Sequence, residues 1–319
     1  HTIADPRKVI SRTIFSCRTR RCSTPPSLPA AYSRRQRSSP GGLAENYPAL
    51  DIVHNGLVLL AGGLVVLFVL SLALRSRMLI VTTGALLAVT LATLIPNLSR
   101  TAARAPENAE RFLRVATFNM WGKGDVHIKK VEDFLAETSP DVVVLEEIRW
   151  KHEAFLRQMR EAYPHQTGKH GLVILSKYPV VDKSRLDRPG QPYWQSLLVA
   201  WARIHVNGRE VDIVGAHMSR PFYPSQQKND FENLTKFIGS LPGPVIVAGD
   251  FNAAPWTHKA QRFSAATDLG RFNTFSPTWP ARWRALPLVP VLPIDNVFVS
   301  PQLAKVDLMV GRRLESDHL

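Results

Sequence analysis

Cysteine is almost missing from these 319 residues: Cys17 and Cys22 are the whole supply. Everything after residue 22 therefore lacks the means for a disulfide, a thiol nucleophile or a cysteine-bound zinc. The two that exist read as an unstructured pair in a polar tail rather than as half a metal site. Acidic residues are scarce in the first third. Residues 1–114 carry 15 Lys/Arg against 5 Asp/Glu (+10), whereas residues 115–319 carry 25 against 21 (+4). Most of the formal charge of +14 thus belongs to the N-terminal part, where it suits anionic lipid headgroups. The remaining +4 does not announce a nucleic-acid groove. Internal repeats are also lacking.

Charge is missing altogether from two runs, Gly56–Leu74 and Met78–Leu98, which flank Arg75-Ser-Arg77. Each approaches the ~20 apolar residues a helix needs to cross a bilayer. Buried core helices rarely stay uncharged over such lengths. A secretory signal peptide is disfavoured, because the first run starts past residue 50 and a second follows at once. The expected organisation is a basic, disordered tail (1–54, with Ser23–Gly42 rich in Ser, Pro and Arg), a transmembrane hairpin (55–98), a linker (99–113) and a catalytic domain (114–319). Two spans put tail and domain on one side. Arg75 and Arg77 in the turn favour a cytoplasmic turn and an external domain, while the nine Lys/Arg of residues 1–55, against three Asp/Glu, pull the other way.

What the chain does have is a set of apolar strands that meet polar residues. Val245–Asn252 (V-I-V-A-G-D-F-N) runs a buried strand into Asp250 and Asn252, two residues apart and so facing one way. Arg114–Asn119 ends in an amide, Asp141–Glu147 in two carboxylates and Val211–His217 in a histidine; Asp295 and Ser316-Asp317-His318 follow. Singly, each has a bland account as a turn, a solvated strand end or a core histidine. Together they point to one polar site at the ends of several strands.

The order N-x-W, L-x-E, G-x-H, G-D-F-N, I-D and S-D-H resembles the endonuclease/exonuclease/phosphatase superfamily over residues 114–319. Gly249–Trp256 and Pro277–Pro280 resemble a bacterial membrane-anchored branch of it. The resemblance implies a four-layered α/β sandwich, two packed mixed sheets flanked by helices, here preceded by a two-helix transmembrane segment. It implies hydrolysis of phosphoesters with Mg²⁺ or Mn²⁺, hard ions satisfied by few carboxylates. Glu147 would be the principal metal ligand, with Asn119 beside it and Asp317 in the metal and water network; Glu146 would face away. Asp250 would orient or deprotonate the attacking water, and Asn252 would hold a phosphate oxygen. His217 would donate to the developing phosphorane, and Asp295 would position His318 at the scissile phosphate. By this resemblance the domain lies in the periplasm, outside a bacterial inner membrane.

Two departures stand out. Asn296 follows Asp295 where many members place His or Tyr, and no carboxylate partner for His217 is identifiable. The chain also stops directly after Ser-Asp-His-Leu, where members continue into one more strand; together with the start at His1, this gives the expectation of a clipped domain.

Helices are expected at Val126–Thr138, Glu153–Tyr163 and Gln226–Leu241, and strands at Gly171–Ser176, Gln195–His205 and Val211–Ala216, with a hairpin turn at Asn207-Gly208. Three functions fit: a membrane-tethered phosphodiesterase with nucleic acid as substrate, the same chemistry on a phospholipid or headgroup phosphate, and a non-catalytic binding module of this fold. Gly171–Pro179 resembles a strand shared with sphingomyelinases, which suits the second. The partners expected are thus a phosphoester substrate and the lipid bilayer, with no protein partner.

Overall fold

The structure, a computed structural model, describes residues 13–17, 51–95 and 101–319, apart from 107, 110, 111, 125, 189, 192–196, 273 and 274. Two six-stranded sheets face each other. The first has the order β14-β1-β2-β3-β5-β4, with β1 Thr13–Cys17, β2 Leu113–Asn119, β3 Val142–Ile148, β4 His165–Lys169, β5 Gly171–Ser176 and β14 Leu303–Asp307. The second has the order β10-β13-β9-β8-β7-β6, with β6 Val180–Asp187, β7 Leu197–Val206, β8 Arg209–Ala216, β9 Val245–Asp250, β10 Gly270–Arg271 and β13 Asp295–Val299. Each sheet is mixed: β2 and β3 run parallel, as do β8 and β9, among antiparallel neighbours. A small hairpin, β11 Arg282–Trp283 with β12 Leu286–Pro287, stands apart.

Side chains of period two fill the space between the sheets. Val115, Val142, Val144, Ile213, Ile246, Ala248, Val297 and Val299 share that core. The alternate positions face helices. Val143 and Leu145 meet Val131 and Leu135 of the helix Ile128–Thr138. Val214, Val245 and Val247 meet Phe231 and Leu234 of the helix Pro224–Gly239, with Phe263 of the helix His258–Thr267. Helix, sheet, sheet, helix are the four layers expected. Asn207 and Gly208 both take positive φ, 49° and 78°, as a two-residue hairpin turn of the primed kind requires. The helix at Glu153 ends at Gln158, short of the expected Tyr163.

The apolar runs form an antiparallel pair of helices, Leu57–Ala73 and Arg77–Leu94. The second is long and apolar enough to cross a membrane, and most of its surface is exposed. The expected disordered tail is corrected at two places. The backbone of Thr13–Cys17 pairs with both Leu113–Val115 and Leu303–Asp307. Asp51–Asn55 is a short helix with Asp51 and Asn55 buried, because its polar side chains satisfy backbone donors of the domain. Ser23–Gly42 and Cys22 lie outside the described residues.

Candidate active site

The same period of two carries the core pattern on to polar residues at one rim. Val115 faces the inter-sheet core, so Thr117 and Asn119 face it too; Val142 and Val144 bring Glu146, Ile246 and Ala248 bring Asp250, and Ile213 brings His217. Parallel pairing aligns Asn119 with Glu146. Asp295 begins its strand rather than ending one, and antiparallel register sets it opposite Asp250 at the same rim.

Asp250 is the hub. It is 1% exposed and accepts hydrogen bonds from the Asn252 backbone N–H at 2.8 Å, from Asn119 Nδ2 at 3.1 Å and from Asn252 Nδ2 at 3.1 Å. His217 Nε2 and His318 Nε2 lie 3.7 and 3.8 Å from its Oδ2. His318 Nδ1 meets Asp295 Oδ2 at 2.9 Å. The loop bearing His318 is pinned by Ser316, whose Oγ donates to the Asn119 carbonyl (2.7 Å) and accepts from the His318 N–H (3.1 Å). Asp250, Asp295 and His318 offer ligand atoms within 4.8 Å of one another, but His318 Nδ1 is committed to Asp295. That trio reads as carboxylate–imidazole–carboxylate rather than as an ion cage.

Burial and crossed charges set the protonation. Burial pushes Asp250 up to about 7, with Asp295 adding and His318 opposing. Burial works against the charged form of His318, yet Asp295 and Asp250 outweigh it and raise the imidazole to about 10. Burial lowers His217 to about 4 despite Glu147. Among the shifted carboxyl groups of the site, Glu147 is the one held low: burial resists, but His217, Arg220 and the Gly122 N–H at 2.8 Å prevail. The site therefore pairs an imidazolium and a neutral imidazole around a carboxyl group that titrates near neutrality.

One expectation changes. Glu146 does not face away: it is fully buried on the inter-sheet face, accepts from Thr117 Oγ1 at 2.6 Å, and is driven well above the usual carboxyl range by burial and by Asp295 and Asp250. The irregularity between Glu146 and Ile148, with Glu147 at φ 55°, is what turns Glu147 to the rim. Asn252 Nδ2 donates to Asp250 Oδ2 at 3.1 Å and to the Met218 carbonyl at 3.0 Å, contacts that fix Asp250. Asn119 likewise ties Asp250 through Nδ2 while its Oδ1 accepts the Trp121 N–H, leaving one lone pair.

A hard divalent ion fits the group of Glu147 and Asp317. Asp317 Oδ1 is buried with no hydrogen-bond partner among the described residues, while Oδ2 meets Trp279 Nε1 at 3.4 Å. Burial and the charge of Glu147 raise the Asp317 carboxyl, His318 opposing. An uncompensated oxygen beside an ionised carboxylate is what such an ion relieves. Next to Glu147 and His217 opens a cavity of about 340 Å³ whose walls include Lys123, Arg149, Arg188 and Arg220.

Sequence reasoning missed the supports. Arg188 binds Asp230 at 2.9 Å and donates to the His217 carbonyl, which holds the backbone of that histidine in place. The unusual Asn296 donates to the Ala253, Pro293 and Ile294 carbonyls at 3.1–3.3 Å, locking the turn after Asn252. Arg188 lies in no motif, and Asn296 showed in the sequence only as a departure beside Asp295, so the fold alone reveals what each of them holds.

Known structures share this architecture. Staphylococcus aureus beta toxin, as a beta-hairpin deletion mutant, superposes with a TM-score of 0.50 at 17% identity, covering 64% of this chain and 93% of that one. D. rerio TDP2, complexed with a single-strand DNA product, gives 0.52 at 16% identity, covering 64% and 94%. A beta toxin variant with bound magnesium ions gives 0.50 at 16% identity, covering 65% and 97%. No curated protein matches by sequence. Residues 116–318 match the Endonuclease/Exonuclease/phosphatase family. With the strand order, the rim and the Asp250 hub in place, the chain belongs to the endonuclease/exonuclease/phosphatase family of phosphoester hydrolases.

Proposed function

We propose that this protein is a membrane-anchored, divalent-metal-dependent phosphodiesterase whose catalytic domain faces the periplasm. The observation that carries the chemistry is Asp250, buried among Asn119, Asn252, His217 and His318 within 2.8–3.8 Å. A carboxyl group near pH 7 is matched to taking a proton from water at neutral pH. Asn119 and Asn252 fix its two oxygens, so the water it receives is aimed. His318, charged and held by Asp295, stabilises negative charge gathering on the phosphoryl oxygens. Neutral His217 donates a further hydrogen bond from the cavity side. Glu147 and Asp317, with the remaining lone pair of Asn119, would hold Mg²⁺ or Mn²⁺, which when bound acts as Lewis acid on the phosphoryl group. Lys123, Arg149 and Arg220 at the cavity wall suit an anionic substrate.

Anchoring is supported by the two charge-free helices and by Arg75 and Arg77 between them. A lipid or headgroup phosphate is the second reading, favoured by the buried contact of Leu57 and Leu94, at the base of the helical pair, with Ala254 and Trp256 just beyond Asn252. A non-catalytic module does not account for so many charges buried together, each costing several kcal/mol to desolvate.

The deciding experiment assays the full chain in detergent micelles against a chromogenic phosphodiester, plasmid DNA and phospholipid vesicles, with and without EDTA. Asp250→Asn and His318→Ala should each lower turnover 10²–10⁴-fold with near-ultraviolet circular dichroism unchanged, and EDTA should abolish it. Undiminished turnover in either variant overturns the site.

A further inference from the structure

Asp51, His54 and Asn55 lie directly before the first apolar helix and belong to no motif, yet they are wired into the turn that follows Asn252. Asn55 Oδ1 accepts the Ala254 N–H at 2.7 Å, and Trp256 Nε1 donates to the His54 carbonyl at 2.6 Å. Asp51 Oδ1 accepts the His258 N–H at 2.9 Å, and its Oδ2 takes the Lys259 N–H at 3.2 Å and Lys259 Nζ at 3.1 Å. Asp51 thus satisfies the first two N–H groups of the helix that begins at His258, beside its N-cap Thr257, and His54 Nδ1 supports it at 2.8 Å. All of these partners are buried or half-buried. From the opposite side the same turn is held by Asn296 on the Ala253 carbonyl (3.2 Å) and by Gln227 on the Asn252 carbonyl (3.0 Å). The turn matters because Asn252, at φ 47°, sits in a strained backbone conformation that its surroundings must impose.

We infer that Asp51–Asn55 is a positioning element of the catalytic site, so that the segment leading into the helical hairpin is a working part of the hydrolase as well as the start of its anchor. The inference rests on the assignment of Asp250 and Asn252 as catalytic machinery. A linker of loose chain would leave the site indifferent to residues 51–55. Here the Asn55 amide fixes a backbone N–H two residues from Asn252, and Asn252 in turn fixes both oxygens of Asp250. Small displacements of such groups act on turnover rather than on affinity for a small substrate.

The test uses the full chain in detergent micelles with a soluble chromogenic phosphodiester. Asn55→Ala should lower kcat about tenfold with KM within about twofold. Asn55→Asp, which keeps the acceptor for the Ala254 N–H, should restore kcat to within about twofold of the parent. Asp51→Asn should fall between them. Near-ultraviolet circular dichroism and the thermal midpoint identify any variant that fails to fold, and Asn55→Asp then decides. Parent-like kcat in a folded Asn55→Ala chain, or no recovery in Asn55→Asp, overturns the inference. Asp250→Asn run alongside separates the two failures: if it also keeps its turnover, the site assignment itself is wrong.

Discussion

Asp250, Glu147 and Asn252 illustrate how much a single residue's chemistry depends on what surrounds it. Two carboxylates of the same rim are pushed in opposite directions, Glu147 down and Asp250 up to about 7: burial resists ionisation of both, but at Glu147 its neighbours His217 and Arg220 and the Gly122 N–H prevail, whereas at Asp250 burial and Asp295 outweigh His318 and the Asn252 N–H. Trp121, Glu147 and Asn252 all take positive φ (44°, 55° and 47°), a concentration of strain that fits a functional site. Away from the site, His152 makes a stability prediction. It is 2% exposed, accepts the Arg149 N–H at 3.2 Å, and is lowered to about 4 by burial, with Lys151 and Arg149 adding. The folded ring stays neutral while the unfolded one, near 6.5, takes up a proton, so the contribution is complete above pH 6.5 and is lost as pH falls toward 4. The loss amounts to about 3 kcal/mol. Urea midpoints should fall over that window in the parent chain, and His152→Gln, which keeps an acceptor, should flatten the decline. An equally steep fall in the variant contradicts this account.

At the scale of elements, the strand β9 shows what a regular pattern can and cannot announce. Its unbroken apolar run from Val245 into Asp250 gave away the strand, and the period of two between Asp250 and Asn252 gave their common facing. The demand on Gly249 was invisible. Its φ is 150°, and a Cβ there would overlap the Ala216 carbonyl of the parallel neighbour. Gly249→Ala should therefore cost about 2–5 kcal/mol and displace Asp250. Thermal unfolding and kcat, measured together, should both drop; a variant of parent stability and turnover refutes the requirement. The bulge at Glu147 belongs here too: simple alternation would have sent that carboxylate to the helix layer with Val143 and Leu145. Helix ends were the least legible feature. The amphipathic stretch beyond Gln158 continues as turns to Tyr163, whose side chain instead packs beneath the helix Ile128–Thr138 and donates to the Pro140 carbonyl at 3.0 Å.

On the scale of the whole molecule, the apolar hairpin and the hydrolase meet through a short polar helix, Asp51–Asn55. The division at residue 54 cut through a polar helix that is buried against the domain. If the spans are oriented by Arg75 and Arg77, protease added to spheroplasts should digest the catalytic domain, and inverted membrane vesicles should protect it. The reverse pattern would put the site in the cytoplasm and give the tail's positive charge the decisive vote.

The sequence by itself determined the charge-free helices and the apolar strands that run into acid, amide and histidine residues, since both are written locally, as uninterrupted apolar length and as short motifs at strand ends; the order of those motifs carried the resemblance that implied the sandwich. Only the tertiary structure decided that Glu146 is buried, that Asn252 serves Asp250, that Arg188 holds the backbone of His217, and that Asp51 and Asn55 reach across some 200 positions of chain to the turn after Asn252. These are contacts between distant segments, fixed by sheet register and by the need to satisfy buried polar groups, and neither is encoded within any one stretch of residues.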